Sequence, residues 1–190
     1  MILSMVKGTA VNEAVLTPAD LRSKYGFKFN ETQDSYYEQA ILAAQKACEE
    51  YLGVDTLLQS FVCTEDFDTT LGQRYICLSA KPFLAVNTVM DGPNEVTDYR
   101  VNPRNGNVVL PYGATTTRVV VEYKVGFDSV PSDVLWCVAM TVQHMVRTSS
   151  ASLMGKNSMT ADGGSETYEQ AVVPTAVRVH LDHYRQNRAL

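Results

Sequence analysis

The side chains able to do chemistry are few and scattered along the chain. Asp66 and Asp68 stand two apart near the end of a strand-like run, where a pair of carboxylates could share acid and base roles. Turn and edge positions account for them as well, and no partner base is placed beside them. His180 and His183 lie three apart with Asp182 between them. On a helix they share a face, which is how a metal pair begins. A tetrahedral site needs more ligands, and neither an HExxH pattern nor a further cluster supplies them. His144 sits in a mostly apolar stretch and reads as a packed or interface histidine rather than a base. GxSxG is absent, and nothing sets a base beside a nucleophilic hydroxyl. Gly163-Gly164 lacks the GxxxxGK[ST] pattern and the preceding strand of a phosphate cradle, and reads as linker. Cys48, Cys63, Cys77 and Cys137 form no CxxC pair, so neither a zinc site nor a dithiol motif is indicated. Three of them fall in apolar or strand-like runs, as reduced buried thiols do. Tyr36, Tyr37 and Tyr51 have no basic residues interleaved with them, as a single-strand nucleic-acid groove would require. These residues assign no catalytic group, no metal and no cofactor.

The totals bound the class of protein. The 190 residues suit one domain, or one domain with arms, and 45% of them are hydrophobic, enough for a real core. Only 19% are charged, which is lean and suggests surface that is covered in the working state. The net charge of −5 includes no basic block, against the Lys/Arg patch of a dedicated nucleic-acid binder. The opening MILSMVKGTAVNEA lacks the continuous apolar stretch of a secretory signal, so a reducing cytoplasm is the expected place of synthesis.

The elements that would position these residues are organised around Arg118–Arg147. Val119-Val120-Val121, with Tyr123 and Val125, predicts a strand buried on at least one face. After Gly126, Pro131 opens a helix and Asp133 faces its positive end. From Val134 to Met140 every residue is apolar, so this helix should be buried on more than one side. It should pack on a sheet and be covered again, by its own chain or by a neighbouring subunit. At roughly 25 Å it is too short and too interrupted to span a bilayer.

Before it, residues 1–15 read as an arm without a clear period. Thr17-Pro18-Ala19-Asp20 starts a short helix that Gly26 stops. A second helix runs from about Asp34 to Leu52, with Tyr37, Ile41, Ala44, Cys48 and Leu52 as one stripe and Gly53 as its stop. From Leu57 to Val125 the period changes to two. Strands are expected at Leu58–Asp66, Arg74–Ser79, Ala85–Met90, Asp98–Val101, Asn107–Leu110 and Arg118–Val125, joined as antiparallel hairpins and a meander. Asn105-Gly106 is the strongest hairpin signal. Residues 148–173 read as a flexible loop or arm, and Pro174 opens a last helix with Val177, Leu181 and Tyr184 on one face. The expected fold class is α+β: helices packed on a small antiparallel meander, with an extended C-terminal arm ending in a helix. The expected divisions are an arm 1–15, a core domain 16–147, a loop 148–173 and a C-terminal helix 174–190.

This order of elements resembles the head–tail connector (adaptor, head completion) proteins of tailed bacteriophages. The resemblance runs from about Leu16 to Arg188, through LTPADLRSKYGF, ACEEYLG, KPFLAVNTVMDG, DYRVNPRNGNVVL and VPTAVRVHLDHYR. Its most specific parts are the Tyr-x-x-Gly-x(4)-Pro-x-Asp passage (Tyr123, Gly126, Pro131, Asp133) and the late Pro-x(9)-Tyr-Arg helix (Pro174, Tyr184, Arg185). The arm before Leu16 is longer than the family's usual start.

The resemblance implies a non-enzymatic virion protein at the head–tail junction, assembled in the cytoplasm of a bacterial host. Copies would form a ring, usually of twelve, beneath the portal protein. The ring would continue the channel for phage DNA, without sequence-specific binding, and receive the next neck, stopper or tail protein. No membrane is involved. The C-terminal segment would grip the portal, which makes Pro174, Val177, Leu181, Tyr184, Arg185, Arg188 and Leu190 the docking candidates. Leu135, Trp136, Val138, Met140, Val142 and Met145 are the core or inter-subunit candidates on the apolar helix. An acidic channel wall would repel the genome's phosphates and let it slide. The competing readings are another neck or tail-completion protein, and a small metal-dependent hydrolase built on Asp66, Asp68, His180 or His183.

Overall fold

Local sequence signals and the elements they produce agree closely along the first third of the chain. Thr17 caps the first helix through a reciprocal box: its hydroxyl accepts the Asp20 N–H at 3.1 Å, and the Asp20 carboxylate accepts the Thr17 N–H at 3.0 Å. The second helix occupies Asp34–Leu52. It ends where Gly53 turns left-handed (φ 72°), a conformation glycine adopts without a Cβ penalty.

A computed structural model describes residues 2–7, 13–58, 61–102, 106–149, 158–161, 164–167 and 171–185. In chain order the elements are β1 (Ile2–Lys7), α1 (Pro18–Tyr25), a 3-10 turn (Glu31–Gln33), α2 (Asp34–Leu52), β2 (Phe61–Asp68), β3 (Tyr75–Cys77), β4 (Phe83–Asp91), β5 (Asn94–Glu95), β6 (Arg100–Asn102), β7 (Asn107–Val109), β8 (Arg118–Val125), α3 (Ser132–Thr148), β9 (Ser158–Ala161), β10 (Gly164–Thr167) and α4 (Thr175–Leu181). The class is α+β. The chain forms two compact units: residues 1–12 with 54–129, and residues 13–53 with 130–190.

The first unit is all β. A five-stranded sheet has the order β1-β2-β8-β4-β5 and a three-stranded sheet the order β3-β7-β6, every pair antiparallel. The order departs from a sequential meander, because β8 inserts between β2 and β4. Along β8 the residues Val119, Val121, Tyr123 and Val125 are buried while their neighbours are half-buried or exposed, the period-two pattern of a strand with one covered face. These side chains, with Cys63, Phe67 and Val89, form one cluster with Ile76, Leu78, Val108 and Leu110. The expected arm is in part a strand: β1 pairs with β2 from Ile2↔Phe67 to Lys7↔Cys63, and Met5 packs on the cluster. The expected Asn105-Gly106 turn lies partly outside the described residues, but β6 and β7 do pair across it.

The second unit holds the helices. The stripe Tyr37, Ile41, Ala44, Cys48 and Leu52 is buried throughout. On α3, Val134, Cys137, Val138, Ala139, Thr141 and Val142 are buried, and within this unit α1, α2 and α4 cover the helix. Within this unit its covers are helices. Between α3 and α4 the stretch expected as a loop carries a hairpin, with Ala161↔Gly164 and Ser158↔Thr167 in register. Among the described residues no helix is long and apolar enough to cross a membrane. All four cysteines are free, and three are buried. Burial pushes the Cys48 thiol up to about 11 and that of Cys137 to about 12, so both stay protonated and inert.

Candidate functional site

Several of the groups singled out for chemistry are engaged in structural contacts. Asp66 is held by Arg118, whose Nε and Nη2 donate at 3.0 and 2.7 Å. Asp68 lies two residues further along β2 and is exposed. His180 packs edge-on against Trp136, ring centres 5.1 Å apart, and His183 Nδ1 lies 3.3 Å from the His180 carbonyl. His144 is half-buried on α3. Among the described residues no three His, Cys, Asp or Glu side chains gather to hold a metal. Tyr37 packs with Phe27 and Phe29, and Tyr51 lies under two guanidinium groups, so these rings are occupied by their own unit.

The two sequence passages that carry the resemblance meet in space. Asp133 comes from the first and Tyr184 from the second, and the Tyr184 hydroxyl donates to Asp133 Oδ2 at 2.6 Å. That bond holds the Asp133 carboxyl below the usual carboxylate range and raises the Tyr184 phenol. Beside it the Tyr51 hydroxyl donates to Asp182 at 2.7 Å, while Arg178 and Arg185 sit 5.8 and 5.3 Å from the Tyr51 ring centre. Beneath these contacts Val177 and Leu181 are buried against the other helices of the unit. The C-terminal helix is thus fastened to α2 and α3 by a small apolar foot and a polar rim.

The docking candidates therefore fall into three groups. Pro174, Tyr184 and Arg185 keep surface. Val177 and Leu181 are covered by their own chain. Arg188 and Leu190 lie outside the described residues. Of the candidates on α3, Leu135, Trp136, Met140 and Met145 are partly exposed, whereas Val138 and Val142 are fully buried in the helical unit.

Tyr123 anchors the β unit. Its hydroxyl donates to Glu65 at 2.7 Å and accepts the Ala80 N–H at 3.0 Å, and the Glu65 carboxyl also accepts the Ser79 N–H at 3.2 Å. Glu65 is fully buried. Burial, and then the bond to Glu65, push the Tyr123 phenol far up. Sequence reasoning missed Glu65, though a signal was there: it sits in register with Cys63 and Phe67, the inward residues of β2. It also missed the exposed apolar residues Ile2, Leu3 and Val6 on β1, and Leu71 and Tyr112 on two turns.

Among the described residues every buried side-chain polar atom has a partner, and apolar side chains such as Leu3, Val6, Leu71 and Tyr112 keep open surface. The chain belongs to the head completion protein family, whose model matches residues 16–187. Membership links it to completion of the head of a phage-type particle. Three solved structures share the fold. A chain in the neck of an empty gene transfer agent particle, computed with C6 symmetry, is 17% identical with a TM-score of 0.63. One in the neck of the native particle, computed with C12 symmetry, is 16% identical with a TM-score of 0.58. One in the virion of the native gene transfer agent is 18% identical with a TM-score of 0.61. Each comparison covers 99% of this chain and 98% of the other. No curated protein matches the sequence.

Proposed function

We propose that the protein is a head–tail adaptor that works without catalysis. Copies assemble into a ring of about twelve beneath the portal, continuing the DNA channel and offering the attachment surface for the next neck or tail protein. One observation carries this reading: the family model spans nearly the whole chain, from the cap of α1 through the C-terminal helix. The sixfold and twelvefold symmetries of the fold's relatives support a ring in particular, since a heterologous contact that closes gives cyclic symmetry. Leu135, Trp136, Met140 and Met145 would supply apolar surface to a neighbour. Pro174, Tyr184 and Arg185 would meet the portal at once, and Val177 and Leu181 only if α4 lifted from α3. The net charge of −5 suits a channel wall that lets duplex DNA slide.

The test is co-expression with the portal protein of the same particle. A complex in which a ring of this chain sediments with the portal supports the proposal. Binding to a tail component with none to the portal would transfer the chain to a lower position in the neck. Tight, salt-sensitive binding of the free ring to duplex DNA would overturn the sliding channel wall.

A further inference from the structure

The C-terminal helix α4 has seven residues, and Pro174 at its N-cap makes no side-chain bond to it. A helix of that length does not persist alone in water, because its nucleus costs more than two turns return. It is therefore a helix only where a surface holds it. The seat it occupies is narrow. Val173, Val177 and Leu181, four residues apart, are its buried apolar side chains, and the Cys137 thiol of α3 lies beneath them, 3.9 Å from the Val177 carbonyl oxygen. Around that seat lie contacts at an exposed rim: the Tyr184 hydroxyl on Asp133, the Tyr51 hydroxyl on Asp182, two guanidinium groups near the Tyr51 ring, and His180 against Trp136. Outward, α4 shows Val179 together with the polar His180 and His183. The apolar side of α4, the side that any partner gains most by covering, is thus the side that its own chain occupies. Few buried side chains and an exposed rim place an element at the low end of local stability.

We propose that α4 is a latch: it closes on its own α2 and α3 in the free subunit and exchanges that seat for the portal in the neck. This rests on the portal reading above. Closed, the latch hides Val177 and Leu181 and keeps free copies from associating through them. Open, the same stripe is available to a second surface. The two seats compete for one set of side chains, so the apparent affinity for the portal is the intrinsic affinity multiplied by the fraction of open subunits. The rim sets that fraction. Tyr51 belongs to α2 and Asp133 to α3, so each fastens α4 from the body of the unit and stays behind when α4 leaves.

The experiment uses the full chain and the portal protein of the same particle. The variant Y51F/D133N removes the hydroxyl that holds Asp182 and the charge that holds Tyr184, and leaves Val177, Leu181 and Tyr184 in place. Hydrogen exchange at residues 175–185 is expected to quicken about fivefold, with α2 and the β unit unchanged. Portal affinity is expected to tighten by about the same factor. Y51F alone should give about twofold on both readouts, which keeps the test open should the double variant fold poorly. Alkylation followed by mass spectrometry is the direct readout on the wild type. Cys137 should react faster in the portal complex than in the free chain, while exposed Cys77 reacts in both and buried Cys48 in neither. Faster exchange with unchanged or weaker portal binding overturns the latch and leaves the adaptor reading standing, since α4 then docks while seated. Unchanged exchange in both variants overturns it as well, because the rim is then not what holds α4. A Cys137 that stays protected in the portal complex does the same. Failure of the wild type and both variants to bind the portal removes the portal reading, and the latch with it.

Discussion

Replacing Tyr123 by Phe tests the β unit at its most committed point. The side chain is fully buried, so the ring stays while one oxygen leaves. Two hydrogen bonds disappear with it, the 2.7 Å bond to Glu65 and the 3.0 Å bond from the Ala80 N–H. Leaving the Ala80 N–H without its partner costs about 1–3 kcal/mol, and the bond to a buried carboxyl contributes about 1–2 kcal/mol more, for a loss of about 3 kcal/mol. Glu65 keeps only the long bonds from Ser79, so adding E65Q should recover part of the loss, since an amide costs less to leave half-paired than a carboxylate. The assay is urea unfolding by circular dichroism, with the slope expected to stay constant while the midpoint falls. The pH axis gives a second check. Because the folded Tyr123 phenol is raised above its ordinary value of 10.0, the unfolded chain releases its proton first. Stability is therefore present below about pH 10 and falls as pH rises above it, by up to about 1.4 kcal/mol per pH unit for one proton. Y123F should lose that share of the alkaline slope. A loss under about 1 kcal/mol, below what one orphaned buried group costs, would refute the reasoning.

Further predictions concern the helical unit and the loops. L181A should cost about 2–5 kcal/mol, as a fully buried leucine leaves a cavity, and hydrogen exchange should quicken in α4 before α2. Y184F removes a bond at an exposed rim and should cost little in global stability, read as faster exchange at residues 178–185 with the β unit unchanged. G113A should cost about 2 kcal/mol or more in thermal unfolding, because φ is +76° and a Cβ there would lie 2.6 Å from the Gly72 carbonyl oxygen. In acid, the bonds from Lys24 and Thr17 hold Asp20 at about 2, below its ordinary 3.8. Its contribution is present above about pH 4 and lost as pH falls towards 2, so D20N should flatten that part of an acid titration. Asp91 behaves alike: burial alone would raise it, but four bonds from Thr115 and Thr116 more than offset that and lower it.

Much of the local structure was legible because its causes are local. The Thr17 box, the stripe from Tyr37 to Leu52, the Gly53 stop, the alternation of β8 and the start of α3 each depend on residues within a few positions of one another. The family passages were legible too, but their purpose was not. Nothing in spacing says that Asp133 and Tyr184, 51 residues apart, share a hydrogen bond. The expected docking face of the last helix shows the same gap: periodicity marks Val177 and Leu181 as one apolar stripe, and only the packing shows what covers them.

What the sequence determined by itself was the class, the list of helices, the two-residue period of the middle third and the kinship with head completion proteins. Those follow from propensity, capping and pattern, which act along the chain. What only the tertiary structure decided was the order of strands, with β8 between β2 and β4, the hydrogen bond from Tyr123 to Glu65, and the pairing of residues 2–7 with β2. Each of these joins segments about 28 or more residues apart. Such contacts are stabilised by the burial and hydrogen bonding of both partners together, so neither segment carries the signal alone.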